Sequence, residues 1–214
     1  MEIKMFCFQC EQTAGCKGCT GAAGVCGKKA DVADLQDKLT GALIGLARTT
    51  DGSTQPTENT YKLLIKGLFT TITNVNFNET TIQALIDEVH AEKQNLVSDC
   101  STCASPCGRN NDYDMADLWN ADEDIRSLKS LILFGIRGMA AYAYHAGVLG
   151  YSDERVNEFI VRALFAIGED RDMTELLPIV LEVGKVNFLC MEMLDKANTG
   201  TYGNPVPVTV PLMV

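Results

Sequence analysis

The sequence predicts an all-α protein: two three-helix bundles preceded by an N-terminal cysteine-rich loop of the kind that wraps a metal centre. Three observations predict it. Apolar residues recur three and four positions apart over long stretches. The two-residue alternation of strands is weak throughout. Five of the nine cysteines crowd between Met5 and Lys29, in a segment rich in Gly, Thr and Ala with no helical period.

The elements follow in order. Residues 1–29 form the cysteine loop. Residues 30–97 form the first bundle. Its first helix runs from about Asp31 to Arg48, with Val32, Leu35, Leu39, Leu43 and Leu46 on one face. Its second starts near Pro56-Thr57 and carries Tyr61, Leu64, Ile65, Leu68 and Ile72. Asn78 caps its third, which carries Ile82, Leu85, Ile86 and Val89. Short connections between the three imply a bundle. Residues 98–121 are crowded with Pro, Gly, Asn and Asp and read as a long loop, a length that tends to carry function.

Residues 122–198 form the second bundle. A helix over Glu123–Gly147 places Ile125, Leu128, Leu131 or Ile132, Gly135, Met139 and Tyr142 in register. Ser152 or Asp153 caps the next, Glu154–Ile167, with Val156, Phe159, Ile160, Ala163 and Leu164 inward. Thr174 caps the last, whose expected inner face is Leu177, Val180, Leu181, Gly184, Phe188, Met191 and Leu194, with Cys190 buried beside it. Pro178 sits in its opening turns, where proline is tolerated. The uncharged tail, residues 199–214, holds three of the six prolines and is expected to run extended, as a linker toward a further domain rather than folded back along this one.

Composition narrows the function. A net charge of −10 argues against nucleic acid and anionic membranes as partners. The charge is uneven: residues 1–29 carry four lysines against two glutamates, a basic collar around the cysteines. No secretory leader precedes them and no apolar run reaches membrane-spanning length, so the expected location is cytoplasmic. Clustered cysteines in that compartment are metal ligands more often than disulfides.

Cys7 and Cys10 form one C-x2-C pair and Cys16 and Cys19 another, with Cys26 six residues beyond. Two such pairs can hold one tetrahedral zinc or supply four thiolates to an iron–sulfur cubane. Spacing alone does not separate them. The helical body is large enough to fold without a structural metal, which favours iron–sulfur over zinc, with a reactive dithiol third. The alternative class is a structural or redox-sensing helical module with a zinc site.

The segment Met5-Phe6-Cys7-Phe8-Gln9-Cys10-Glu11-Gln12-Thr13, then Gly18-Cys19-Thr20, Gly24-Val25-Cys26-Gly27-Lys28 and Leu35-Gln36-Asp37, resembles the start of the hybrid cluster proteins, also called prismane proteins or hydroxylamine reductases. IRSLKSLILFGIRGMAAYAYHAGVLGY and ANTGTYGNPVPVTVP resemble later parts of the same family's first domain. The resemblance implies cubane ligands at Cys7, Cys10, Cys19 and Cys26, with Cys16 extra. It implies a [4Fe–4S] cluster, or [2Fe–2S] as in some members. It also implies transfer of electrons from an external donor to a hybrid cluster held by α/β domains. Those domains are absent here, so hydroxylamine or nitric oxide reduction is not expected of this chain alone.

Other residues have plainer readings. Cys100, Cys103 and Cys107 could form a second metal site with Asp112 or Asp114; free thiols are the simpler reading. Arg109 reads as a partner for a nearby Asp, with presentation of its charge to a partner or the cluster as the sharper reading. His145 reads as a helix-end histidine, His90 as surface, and Trp119 as a packing anchor. The acidic clusters at 122–124 and 169–172 read as solvated helix starts. Gly135, Gly138 and Gly147 would allow close helix contact. A homodimer through the apolar tail is a further expectation.

Overall fold

The structure, a computed structural model, describes residues 4–10, 18–50, 54–72, 75–98 and 111–207. Among these it is all-α. The helices are α1 (Ala30–Thr49), α2 (Glu58–Thr70), α3 (Glu79–Ser98), α4 (Met115–Trp119), α5 (Glu123–Val148), α6 (Glu154–Gly168) and α7 (Met173–Tyr202). The one extended pairing is an isolated bridge between Cys7 and Cys19. None of these helices is long and apolar enough to cross a membrane.

Side chains placed just before the helices start most of them. Thr57 and Thr60 exchange bonds in a capping box at α2. Asn78 Oδ1 accepts from Thr81 N at the head of α3, as expected. Asp114 caps α4 and Asp153 caps α6. At α7 the cap is Asp172 rather than Thr174. Its carboxylate accepts from Thr174 N and Glu175 N, and Glu175 Oε2 in turn accepts from Asp172 N. A carboxylate satisfies two orphan amides and meets the helix dipole, which a hydroxyl does less well.

The helices share one hydrophobic core. Helix α1 is its axis, packing on α2, α3 and α6, while α5 packs on α2, α6 and α7. From Leu39 to Ala47 every residue of α1 is buried. A helix apolar all round sits inside a fold rather than on one flank of it. Small residues let neighbours approach. A methyl on Gly41 would strike the Tyr113 carbonyl, and Tyr113 N donates to the Gly41 carbonyl at 3.0 Å. Gly135 meets Val183 in the same way, whereas Gly138 and Gly147 face open space.

Three expectations about elements need correction. Residues 98–121 are not all loop, because 115–119 form α4, held by Met115 and the fully buried Leu118. The last helix continues through Tyr202, so residues 199–202 are helical rather than extended. Gly200 lies against the Tyr151 hydroxyl, a tertiary contact that supports a weak helical sequence. The third concerns the face of α7. Leu176, Val183, Val186, Cys190, Met193 and Ala197 point inward, while Leu177, Leu181, Phe188 and Met191 are exposed. On α5, Ile132 is buried and Leu131 is exposed.

Candidate metal centre

The cysteine segment is built onto the first turns of α1. Cys7 N donates to Cys19 O at 3.1 Å and Cys19 N to Cys7 O at 2.8 Å. A directly opposed antiparallel pair that exchanges both bonds carries its two side chains on one face. Met5, Cys7 and Cys19 pack on Ala33, with Ala30 beside them. Two alanines one turn apart leave room for this strand pair against the helix.

Two glycines shape the segment. Gly18 has φ +87°, and a methyl there would meet the Phe6 ring at 3.1 Å and the Cys7 carbonyl at 3.2 Å. Gly27, at φ +85°, follows Cys26 and closes a tight turn through its N–H to the Gly24 carbonyl at 2.9 Å. Cys26 Sγ lies 3.5 Å from the site of a methyl on Gly24, close to Met5.

Beneath the cysteines lies a polar network. Lys28 is fully buried, and its ammonium donates to Gln9 Oε1 at 2.6 Å, to Gln36 Oε1, and to Cys7 Sγ at 3.9 Å. Gln9 Nε2 donates to Asp37 Oδ1 at 2.8 Å, and Gln36 Nε2 to the Asn76 carbonyl at 2.8 Å. Arg137 reaches the same region from α5, donating to Thr71 Oγ1 and Thr40 Oγ1, both at 3.0 Å.

Burial pushes the Cys7 thiol up, against the pull of the Lys28 charge. Burial also raises Asp37 to about 6, with Gln9, Arg137 and Lys28 holding it down. Arg137 is lowered to about 10 by burial, against the pull of Asp37 and Cys7.

Aromatic contacts fasten the segment from the other side. Phe8 packs on Trp119 at 5.4 Å between ring centroids and Phe6 at 6.4 Å, so the tryptophan is a packing anchor. An open cleft of about 470 Å³ beside them is lined by Lys4, Phe6, Asp34, Lys38, Asp114 and Trp119, among others.

Of the expected ligands, Cys7, Cys10, Cys19 and Cys26 are free thiols. Cys7 and Cys19 are brought together through their backbones. Among the described residues no three Cys, His, Asp or Glu side chains form a ready-made cage. Cys16, Cys100, Cys103, Cys107 and Arg109 lie outside the described residues. The aspartates suggested for a second metal are engaged elsewhere. Asp112 binds Lys93 at 2.6 Å and lies 2.8 Å from His90 Nε2, and Asp114 is a cap.

Cys190 is fully buried, donates to the Met139 carbonyl at 3.2 Å, and is pushed up to about 11 by burial. That is a structural thiol. His145 stands in the last turn of α5, edge-on to Phe69. Asp122 precedes α5 as its N-cap residue, as expected of a helix start. Glu169 instead follows the end of α6 and pairs with Arg48 at 3.1 Å. Sequence reasoning missed Lys28, Gln9, Gln36 and Arg137 as a unit, although all four lie within the motifs quoted for the resemblance.

Comparison with known proteins extends across this whole arrangement. The profile described as the Prismane/CO dehydrogenase family matches residues 5–214. A hydroxylamine reductase of Solidesulfovibrio magneticus is 41% identical over 97% of this chain and 42% of its own length. Those of Thermodesulfovibrio yellowstonii and Methanocaldococcus jannaschii are 40% and 38% identical, over 97% and 94% of this chain. The chain spans about two fifths of the length of these relatives, at 42%, 42% and 40%.

Proposed function

Because the chain belongs to the Prismane/CO dehydrogenase family, we propose that it is the electron-transfer domain of an iron–sulfur oxidoreductase. Cys7, Cys10, Cys19 and Cys26 would hold the cluster, a [4Fe–4S] centre. The observation that carries this reading is the Cys7–Cys19 pair, two free thiols held on one face above the buried Lys28 ammonium. The donor set fits the group. Thiolates are the ligands such clusters take, and a buried positive charge suits an anionic centre. When bound, the cluster supplies reversible one-electron transfer.

The chain's own residues do the rest. The Cys7–Cys19 bridge and the Gly27 turn set where the sulfurs emerge. Met5, buried against Cys7 and Cys19, shields one side from water. Lys28 and Arg137 offset negative charge. The relatives' printed name, hydroxylamine reductase, describes proteins more than twice as long. Delivery of electrons from an external donor to a hybrid cluster in the remaining segments is the corresponding role here, in the cytoplasm.

Anaerobic reconstitution tests this. The chain should take up about four irons and four sulfides, turn brown, and give the EPR signal of a reduced [4Fe–4S] centre. Cys26→Ser should abolish the cluster absorbance. A colourless protein with one tightly held zinc, unchanged by Cys26→Ser, would overturn the proposal. A two-iron stoichiometry would correct the cluster type to [2Fe–2S].

A further inference from the structure

Lys28 is a buried lysine that makes no direct ion pair with a carboxylate among the described residues. Its partners are the amide oxygens of Gln9 and Gln36, the Cys7 sulfur, and the face of Phe77 at 5.7 Å. Among the described residues no Asp or Glu pairs with it directly. Among those residues Arg137, also buried, donates to threonine hydroxyls, and its Nη1 has no hydrogen-bond partner. Two buried cations thus surround one carboxylate, Asp37, which reaches Lys28 through Gln9. Unbalanced charge under a protein surface is costly, so such sites hold a counter-charge. Among the described residues the remaining acceptor that Lys28 addresses is Cys7 Sγ.

We propose that Lys28 is a positioning residue that sets the reduction potential of the centre bound at Cys7: its ammonium, fixed by Gln9 and Gln36, is the counter-charge of that ligand sulfur. This rests on the reading that Cys7 is a cluster ligand. Reduction by an external one-electron donor adds one negative charge to the centre, with no bond made or broken in the chain. A cation held in place beforehand favours that added charge, and little water is near to screen it. Hydrogen bonds to cluster sulfurs and net charge are established levers on such potentials. Gln9 and Gln36 carry no charge, so they hold the ammonium without neutralising it.

The test uses the full chain, reconstituted anaerobically with iron and sulfide, as wild type, Lys28→Met, Lys28→Gln and Lys28→Arg. Iron and sulfide content and circular dichroism come first. Midpoint potentials then come from EPR-monitored titration with dithionite. Lys28→Met and Lys28→Gln should retain iron but favour the oxidised state at least tenfold, a negative shift of about 59 mV for a one-electron couple. Lys28→Arg should recover most of it.

Lys28→Gln keeps a polar group in the cavity and carries the test if Lys28→Met does not fold. Neutral variants with the wild-type potential, or an arginine variant that shifts as far as they do, would overturn the proposal. Failure of the wild-type chain to take up iron would overturn the cluster reading itself, and is visible before any potential is measured.

Discussion

The Lys28 ammonium lies 2.6 Å from Gln9 Oε1, and the two residues sit at opposite ends of the cysteine segment. Gln36 of α1 takes a second bond from the same ammonium. One buried nitrogen therefore ties the start of the segment, its end and the central helix. Gln36→Leu should leave this cation short of an acceptor in the core. The expected cost is roughly 1–3 kcal/mol, as for a buried polar group losing its partner. Urea unfolding of the wild type and the variant measures it, and an unchanged midpoint would show that the network does not hold the segment.

A second prediction concerns the glycines of α1 and α5. At Gly41 a methyl meets the Tyr113 carbonyl, part of the backbone that runs across α1. Gly41→Ala should cost about 1–3 kcal/mol by overpacking. Gly138 has the same helical backbone and open space around it. Gly138→Ala should instead stabilise by roughly 0.5–1 kcal/mol. Thermal melts of the two variants should move in opposite directions.

The orientation of α7 can be checked in the same way. Leu176 is fully buried and Leu181 is 63% exposed. Leu176→Ala should destabilise by about 2–5 kcal/mol, and Leu181→Ala by no more than about 0.5 kcal/mol. Equal effects would mean that the helix is turned otherwise.

Acid sensitivity should trace in part to Glu92 of α3, which faces the head of α2. Burial works to raise its carboxyl, but hydrogen bonds from Thr57, Thr60 and Asn59, each 2.6 Å long, outweigh it and hold the group below 4.5. A depressed folded value stabilises the fold above the ordinary carboxylate range. That contribution disappears as pH falls through the folded value. Glu92→Gln should therefore lower the urea midpoint at pH 7, and the gap from wild type should narrow below pH 4.5. A gap independent of pH would refute this account.

Local signals made much of the fold legible. On α6, Val156, Phe159, Ile160, Ala163 and Leu164 were read from spacing and all are buried. Asn78 was read as a cap and is one. On α7 the reading failed because apolar residues occupy both faces. Leu176 and Leu177 are neighbours in sequence, and only packing on α5 decides which is covered. Helix α4 is five residues long, too short for a period to show.

The candidate site was half legible. Cysteine spacing marks two pairs, Cys7 with Cys10 and Cys16 with Cys19, and the choice of Cys26 over Cys16 rests on the family resemblance. The charged layer beneath them could not be read, because its bonds join residues far apart in the chain. Arg137 meets Thr40 across 97 positions. Periodicity reports which face is apolar, and it is silent about a polar side chain that is buried because a distant segment satisfies it.

Trp119 is the chain's single tryptophan, and both aromatic rings flanking Cys7 rest on it. Nature has thus placed a fluorophore against the N-terminal strand. Its emission will register whether that strand is seated, and any light-absorbing centre assembled nearby will dim it, so loading can be followed optically without an added label.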